Sequence, residues 1–169
     1  MIAILDAHYS EQLTRVACVL ADSWRDDLAA GERVIELPPA AEYEPGQFYL
    51  RELPALMAVL KLLPCAPDVV VVDAYAWLGE GYPGLGARLH EALGGTIPVI
   101  GVAKSAYAGA PHAEVMRGDS TRPLYITAAG MAPDAAAAII AAMHGPNRLP
   151  DLIRRADQLA RGIAVPLHG

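Results

Sequence analysis

The chain has 169 residues, of which 54% are hydrophobic and 19% are charged, and its formal net charge is −6. This length suits one domain with a full core, and no linker or composition break divides it, so we predict a single domain over residues 1–169. The negative charge argues against a broad basic surface for nucleic acid, although it leaves room for a local basic patch beside a metal. With two cysteines, no membrane-length apolar run and no signal peptide before the first strand, the sequence predicts a cytoplasmic protein.

The predicted elements begin with three strands, at residues 1–6, 15–22 and 32–37, that form an antiparallel meander. A turn-rich loop then leads to a helix at about residues 50–63. The later elements are a strand at 68–73, a Gly-rich stretch at 79–86, a helix near 85–94, strands at 98–102 and 124–127, and helices at 133–143 and 150–161. This order predicts an α/β fold in which a mixed sheet, the meander plus parallel strands, has helices on its faces.

Two of the predicted strands end on an aspartate. Asp6 follows the apolar run Met1 to Leu5, and Asp73 follows four valines at 69–72, a pattern typical of strands buried on both faces. Ligand sites in α/β sheets lie beyond the carboxyl ends of such strands. Together the two carboxylates predict a hard-oxygen site for Mg²⁺ or Mn²⁺, whereas either one alone is equally explained as a turn or helix cap.

Four other residues each have a structural and a functional interpretation. Glu52 lies in the first turn of a helix, where an acidic residue favours the helix dipole. Asp157 lies at the edge of the apolar stripe of the last helix, where an ion pair with arginine is the common role. Lys104 ends a core strand and either contacts a phosphate or neutralises the carboxylates. Tyr43 either stacks on a base or packs under its own loop.

Six motifs, taken in chain order, resemble those of the endonuclease V family. They are Asp6-Ala7-His8-Tyr9, then Tyr43-Glu44-Pro45-Gly46 with Leu50-Arg51-Glu52, then Val72-Asp73, then residues 98–105, then Arg122-Pro123-Leu124-Tyr125, then Arg148-Leu149-Pro150 with Arg154-Arg155-Ala156-Asp157. The resemblance covers most of the chain. It implies an RNase H-like fold and Mg²⁺-dependent nicking of DNA, with RNA as a further candidate, on the 3′ side of a deaminated base, typically deoxyinosine.

The resemblance also implies roles for single residues. Asp6, Glu52 and Asp73 match the acidic centre that holds Mg²⁺, for which Mn²⁺ is a common substitute. Asp157 matches a further site position, which the family fills with Asp or His. Lys104 matches the lysine near the scissile phosphate. The resemblance therefore favours the functional interpretation of Glu52 and Asp157 over the structural one.

The chain departs from the family just beyond Asp73. Ala74 and Ala76 replace two glycines that help form the pocket for the flipped base, the histidine that follows in the family is absent, and the loop is longer. We expect Ala74 and Ala76 to contact nucleic acid through a pocket of changed shape, so the lesion preference stays open. Tyr43 matches the wedge aromatic of the family, but its glutamate neighbours make the wedge unusually acidic.

Two other functions stay open from the sequence. A non-catalytic relative that binds nucleic acid or a phosphorylated ligand is favoured by the acidic charge and the changed loop. It is disfavoured by the cost of bringing several charged groups together with nothing bound among them. A protein-contact role is the third hypothesis, with Trp77 and Tyr82 as the exposed surface. A monomer is plausible, and the sequence does not fix the oligomeric state.

Overall fold

The computed structural model describes residues 1–39 and 48–163, so Tyr43 lies outside the described residues. The strands are β1 (Ile2–Tyr9), β2 (Thr14–Ala21), β3 (Gly31–Leu37), β4 (Val69–Val72), β5 (Trp77–Gly79), β6 (Tyr82–Pro83), β7 (Val99–Ala103), β8 (Ala113–Val115) and β9 (Leu124–Ala129). The helices are α1 (Phe48–Leu60), α2 (Leu85–Ala92), α3 (Pro133–Ala142) and α4 (Asp151–Ala160). None of the helices in this part of the chain has the length and apolar character needed to span a membrane.

Seven of the strands form one mixed sheet in the order β3-β2-β1-β4-β7-β9-β8. The first three strands are antiparallel, and β1, β4 and β7 are parallel to one another, which confirms the predicted combination of a meander with parallel strands. In contrast, β9 runs antiparallel to β7. The chain between them contains no helix to carry it back across the sheet, which a parallel pairing would need. The edge strand β8 was not predicted, because three residues are too few to show periodicity.

The four valines of β4 divide their side chains between the two faces of the sheet. Val71 packs in the core on the side of α3 and α4, whereas Val70 and Val72 pack in the core on the side of α1 and α2. Successive side chains of a strand point to opposite faces, so a strand covered on both faces needs an apolar residue at every position. The valine run is therefore buried on both faces, as the sequence predicts.

A small hairpin takes the place of the predicted Gly-rich loop. Strands β5 and β6 pair antiparallel, and Gly81 in their turn has a φ of 72°. Such a positive φ is common in two-residue hairpin turns and favours glycine there. The hairpin carries Trp77 and Tyr82, the aromatic residues that the sequence suggested as an exposed contact. The indole Nε1 of Trp77 donates a hydrogen bond of 3.0 Å to the Ala128 carbonyl, whereas Tyr82 is 72% exposed.

The segment 74–76 crosses directly over Gly101 in β7. A Cβ at Gly101 would overlap the carbonyl oxygen of Ala74 and lie 2.6 Å from Thr127 Oγ1. The same hydroxyl oxygen accepts a hydrogen bond of 2.7 Å from the amide of Ala76. The absence of a side chain at position 101 therefore lets the segment after Asp73 lie close against the sheet.

We expect Gly101→Ala to lower the free energy of unfolding by about 2 kcal/mol or more, because backbone and a buried hydroxyl must move to admit the methyl group. Urea unfolding of the parent and the variant measures this difference. Gly31→Ala is the matched control, since its Cβ would meet Leu20 Cδ1 at an ordinary 3.5 Å. Equal unfolding midpoints for Gly101→Ala and Gly31→Ala would contradict the packing described for segment 74–76.

Candidate metal centre

Three aspartates meet where β4 ends beside β1. Asp73 directly follows β4, whereas Asp6 lies inside β1, which pairs with β2 as far as Tyr9 instead of ending at residue 6 as the sequence predicted. Leu5 in β1 pairs with Val72 in β4, so the next residues, Asp6 and Asp73, lie side by side at the carboxyl end of β4. Asp157 comes from α4, which packs against β1 and β2. One carboxylate oxygen from each aspartate lies within 4.8 Å of the other two. The sheet and a distant helix therefore bring together three of the residues that the sequence singled out.

Glu52 joins this cluster from the opposite face of the sheet. Helix α1 delivers it to a cavity of about 180 Å³ that is lined by the three aspartates, Glu52, His8 and Arg161. Glu52 is buried, and the other buried residues of its helix are apolar side chains of the core. Because α1 begins at Phe48, Glu52 lies beyond its first turn, so the helix-dipole role that the sequence suggested does not apply. The burial of Glu52 is the property that the sequence did not reveal.

The cluster disfavours full ionisation in the absence of a cation. Burial, followed by the negative charge of Asp73, raises the pKa of Asp6 to about 7. Burial, followed by the charge of Asp6, raises the pKa of Glu52 to about 8. Both shifts have the sign expected for carboxyl groups that are removed from water and placed beside other carboxylates. A cation at this position would relieve the repulsion.

Two basic side chains offset part of the negative charge. Lys104 Nζ lies 2.6 Å from Asp73 Oδ2 and 3.7 Å from Asp157 Oδ1. Burial opposes the charged form of Lys104, but the hydrogen bond and charge of Asp73 outweigh it and raise the lysine pKa. Arg161 Nε lies 3.1 Å from Asp157 Oδ1. The sequence analysis did not assign Arg161 to the site, although its i+4 spacing from Asp157 places both on one side of the helix end.

The donor set fits a divalent metal ion. Carboxylate oxygens are the preferred ligands of Mg²⁺ and Mn²⁺, and Mg²⁺ commonly takes only one or two carboxylates together with water and phosphate oxygens. Asp6, Asp73 and Asp157 present oxygens close enough to share one ion, and Glu52 lines the same cavity. Lys104 and Arg161 partly neutralise two of the aspartates and leave Asp6 and Glu52 without such a contact among the described residues.

A second, larger cavity of about 730 Å³ adjoins this centre, and Asp73 lines both. Of the two alanines predicted to contact nucleic acid, Ala74 lines this cavity. Ala76 is fully buried, its amide donates to Thr127 Oγ1, and its carbonyl accepts from the amides of Gly84 and Ala87. The structure therefore places Ala74 beside the carboxylates and gives Ala76 a position from which it supports the loop.

Known proteins are similar to this chain in both fold and sequence. The Endonuclease V family model matches residues 1–132. Endonuclease V of Azotobacter vinelandii is 36% identical over 130 residues, which are 74% of this chain and 57% of that protein. The crystal structure of endonuclease V from Streptomyces avermitilis has a TM-score of 0.78 at 27% identity, over 95% of this chain and 79% of that chain. Endonuclease V of Ciona intestinalis, solved in complex with a 24mer DNA containing an inosine followed by a ribo-adenosine, has a TM-score of 0.78 at 17% identity, over 95% of this chain and 84% of that chain.

The mixed sheet with carboxylates at its edge places the protein among the RNase H-like folds. More narrowly, the chain belongs to the endonuclease V family, as its motif order predicts. It spans 57% of the length of the Azotobacter relative. Asp157 lies beyond the residues that the family model matches, so its membership of the cluster rests on the geometry of α4.

Removing the charge of Asp6 is expected to stabilise the metal-free protein. The folded state keeps its proton on Asp6 up to about pH 7, whereas an unperturbed aspartate loses it near 3.8. The free energy of unfolding from this group therefore falls as the pH rises between these values, and the loss is complete above the folded pKa. Asp6→Asn should raise the free energy of unfolding by about 2 kcal/mol at about pH 8 in a chelator, and by less at about pH 5. Chemical unfolding at both pH values, with the exposed Asp27→Asn as control, measures the gain; a gain that is the same at both would contradict this account.

Binding of Mn²⁺ or Mg²⁺ should raise the midpoint of thermal unfolding of the parent protein. A ligand at one hundred times its dissociation constant adds about 2.7 kcal/mol to the free energy of unfolding. The shift should shrink at about pH 6, because Asp6 and Glu52 then hold protons that compete with the metal. Asp73→Asn should lose most of the shift, whereas Asp27→Asn should keep it. An undiminished shift in Asp73→Asn would place the metal elsewhere.

Proposed function

We propose that this protein is a divalent-metal-dependent endonuclease that hydrolyses a phosphodiester bond of DNA near a deaminated or otherwise distorted base. The observation that carries the proposal is the meeting of Asp6, Asp73 and Asp157 within 4.8 Å in a chain of the endonuclease V family. Paired and clustered carboxylates at a sheet edge suit a phosphate substrate only when cations screen them. The net charge of −6 makes such local screening necessary for DNA to approach.

Asp6, Asp73 and Asp157 would hold the metal, with Glu52 as the fourth carboxylate of the same cavity. We propose Mg²⁺ as the natural ion and Mn²⁺ as its substitute. When bound, the ion supplies positive charge that lowers the pKa of water and stabilises the leaving oxygen. The four carboxylates reach this position from two strands and two helices on opposite faces of the sheet, so packing of the whole core holds them in place.

Lys104 is the residue of this chain best placed to contact the scissile phosphate. Its ammonium group lies 2.6 Å from Asp73 Oδ2 and 3.7 Å from Asp157 Oδ1, and a lysine there acts as a point charge for a phosphate oxygen. In the proposed hydrolysis a water oxygen attacks phosphorus and passes a proton to a carboxylate oxygen of the cluster. The bond from phosphorus to O3′ breaks, and O3′ takes up a proton, so the products are a 3′-hydroxyl and a 5′-phosphate.

The second cavity supports a role in base recognition. It shares Asp73 with the carboxylate centre, and its volume of about 730 Å³ is ample for one extruded base. A base held there would place a neighbouring phosphodiester bond at the carboxylates. We propose DNA as the substrate, with RNA as a further candidate, and deaminated bases such as hypoxanthine as the lesions, cut on the 3′ side.

A non-catalytic binding relative is the second candidate, and the internal ion pair of Lys104 with Asp73 favours it. That pair engages the charge of the lysine before any phosphate arrives. Nucleic-acid affinity without any nicking in the parent protein would support this alternative over the enzyme.

The parent protein is expected to nick at least one member of a panel of inosine-, uracil-, mismatch- and flap-containing DNA and RNA when Mn²⁺ or Mg²⁺ is present. Asp73→Asn should lower the nicking rate by about 100-fold or more, because it removes a charged oxygen donor of the centre. Asp27→Asn, an exposed aspartate at the other end of the sheet, should nick at the parent rate. Denaturing gels of end-labelled strands measure the rates, and a panel left intact with both metals would defeat the proposal.

A further inference from the structure

The second cavity is lined by one cationic side chain among the described residues, that of Arg88 in α2. Its guanidinium carbon lies 4.5 Å from the centre of the Tyr49 ring. Stacking on an aromatic face holds the planar guanidinium in one orientation and leaves the N–H groups of its edge available. Arg88 Nε is buried and has no hydrogen-bond partner within residues 1–39 and 48–163. A buried donor without a partner is costly unless a ligand satisfies it.

The walls of the cavity favour a planar, uncharged ligand over a phosphate. They consist mainly of aromatic and aliphatic side chains, namely Tyr75, Leu78, Tyr82, Leu85 and Tyr107. The hydroxyl of Tyr75 donates to the Ser105 carbonyl and accepts from the Tyr107 amide, which fixes the orientation of that wall. The carboxylate of Asp73 on the border would repel an anion. A nucleobase matches these surfaces, since its faces stack on aromatic rings and its edge offers acceptors.

The main chain around the loop has already used several of its donors. The amide of Ala76 donates to Thr127 Oγ1, that of Gly86 to the Tyr75 carbonyl and that of Ala87 to the Ala76 carbonyl. None of these three residues lines the cavity, and their amides hold segment 74–76 against α2 and the sheet. Among the side chains that line the cavity, Arg88 is the one that carries several N–H donors in one plane, which suits a ligand edge with two acceptors.

We propose that Arg88 is a specificity-determining residue that reads the acceptor edge of a 6-oxopurine by donating to O6 and N7. A guanidinium has donors and no acceptor, so it pairs with a carbonyl at position 6 and leaves its N–H groups unpaired against an amino group. Arg88 thereby selects hypoxanthine and xanthine over adenine. Guanine in a single strand is selected in the same way, because it also has a carbonyl at position 6. The proposal rests on the proposed function, because it places the extruded base in the cavity beside the carboxylates.

Equilibrium binding of single-stranded oligonucleotides tests this role apart from cleavage. Fluorescence anisotropy is measured in Ca²⁺, with the intact strand verified on a gel, for strands that differ at one central base: inosine, guanosine, adenosine or 7-deazainosine. The parent should bind the inosine and guanosine strands about tenfold or more tightly than the adenosine strand, the discrimination typical of a bidentate arginine. It should lose several-fold on 7-deazainosine, which lacks the N7 acceptor.

Arg88→Met should reduce the ratio of inosine to adenosine affinity to within about twofold, because it keeps length and apolar packing but has no donor. Arg88→Lys should give an intermediate ratio, since it retains one donor group. Arg25→Met is the matched control. Arg25 is exposed in the segment after β2, and Ala21 at the end of β2 pairs with Ile2 at the start of β1, so this arginine lies at the opposite edge of the sheet.

Several outcomes would overturn the role of Arg88. An unchanged ratio in Arg88→Met would do so, and so would an equal loss for all strands, which indicates a phosphate contact. A parent with no preference among the strands, or no binding at all, would also contradict it. If Arg88→Met fails to fold, the parent's own comparison of inosine with 7-deazainosine decides. Base preference in binding without nicking in Mn²⁺ would contradict the proposed function and support the role of Arg88. Nicking without base preference in binding would support the proposed function and contradict the role of Arg88.

Discussion

The parallel pairing of β1 with β4 is the constraint on which the site depends. It puts the residues that follow Leu5 and Val72 next to each other, and both of those residues are aspartates. Two adjacent carboxylates at a sheet edge repel each other and lose hydration, so the core that holds the two strands together also stabilises an unfavourable arrangement of charge. This arrangement raises the pKa values of Asp6 and Glu52.

Elements from both faces of the sheet complete the centre. Helix α1 contributes Glu52 from one face, and α4 contributes Asp157 from the other, while Lys104 arrives at the end of β7. Because β1 and β4 are central strands, helices on either face of the sheet can bring side chains to Asp6 and Asp73. A cluster built in this way is rigid, because moving one carboxylate would require moving a packed helix or a central strand.

Segment 74–76 lies close against the sheet, and its Ala74 and Tyr75 line the second cavity. Gly101 makes this approach possible, and the hydrogen bond from Ala76 to Thr127 holds it. Asp73 directly precedes this segment and lines both the carboxylate cavity and the second cavity. Carboxylates line the first cavity, whereas aromatic side chains and Arg88 line the second.

Much of the architecture could be predicted from local patterns, and several elements could not. The apolar runs that end on Asp6 and Asp73 predicted buried parallel neighbours, because uninterrupted valines suit only a strand covered on both faces. The direction of β9, the short strand β8 and the β5–β6 hairpin escaped prediction, since their pairing depends on connections and neighbours rather than on periodicity. Glu52 and Asp157 were ambiguous for the same reason: burial and convergence are properties of the folded chain.

The sequence by itself determined the family, the two aspartates that follow apolar runs and the helices that carry the other two carboxylates. It did so because strand and helix periodicity and motif order are local features of the chain. Only the tertiary structure decided that Asp157 completes the cluster, that Ala76 is buried rather than exposed to a ligand, and that Arg88 stacks on Tyr49 inside the second cavity. Those facts depend on distances between residues far apart in sequence, which packing sets and local pattern does not.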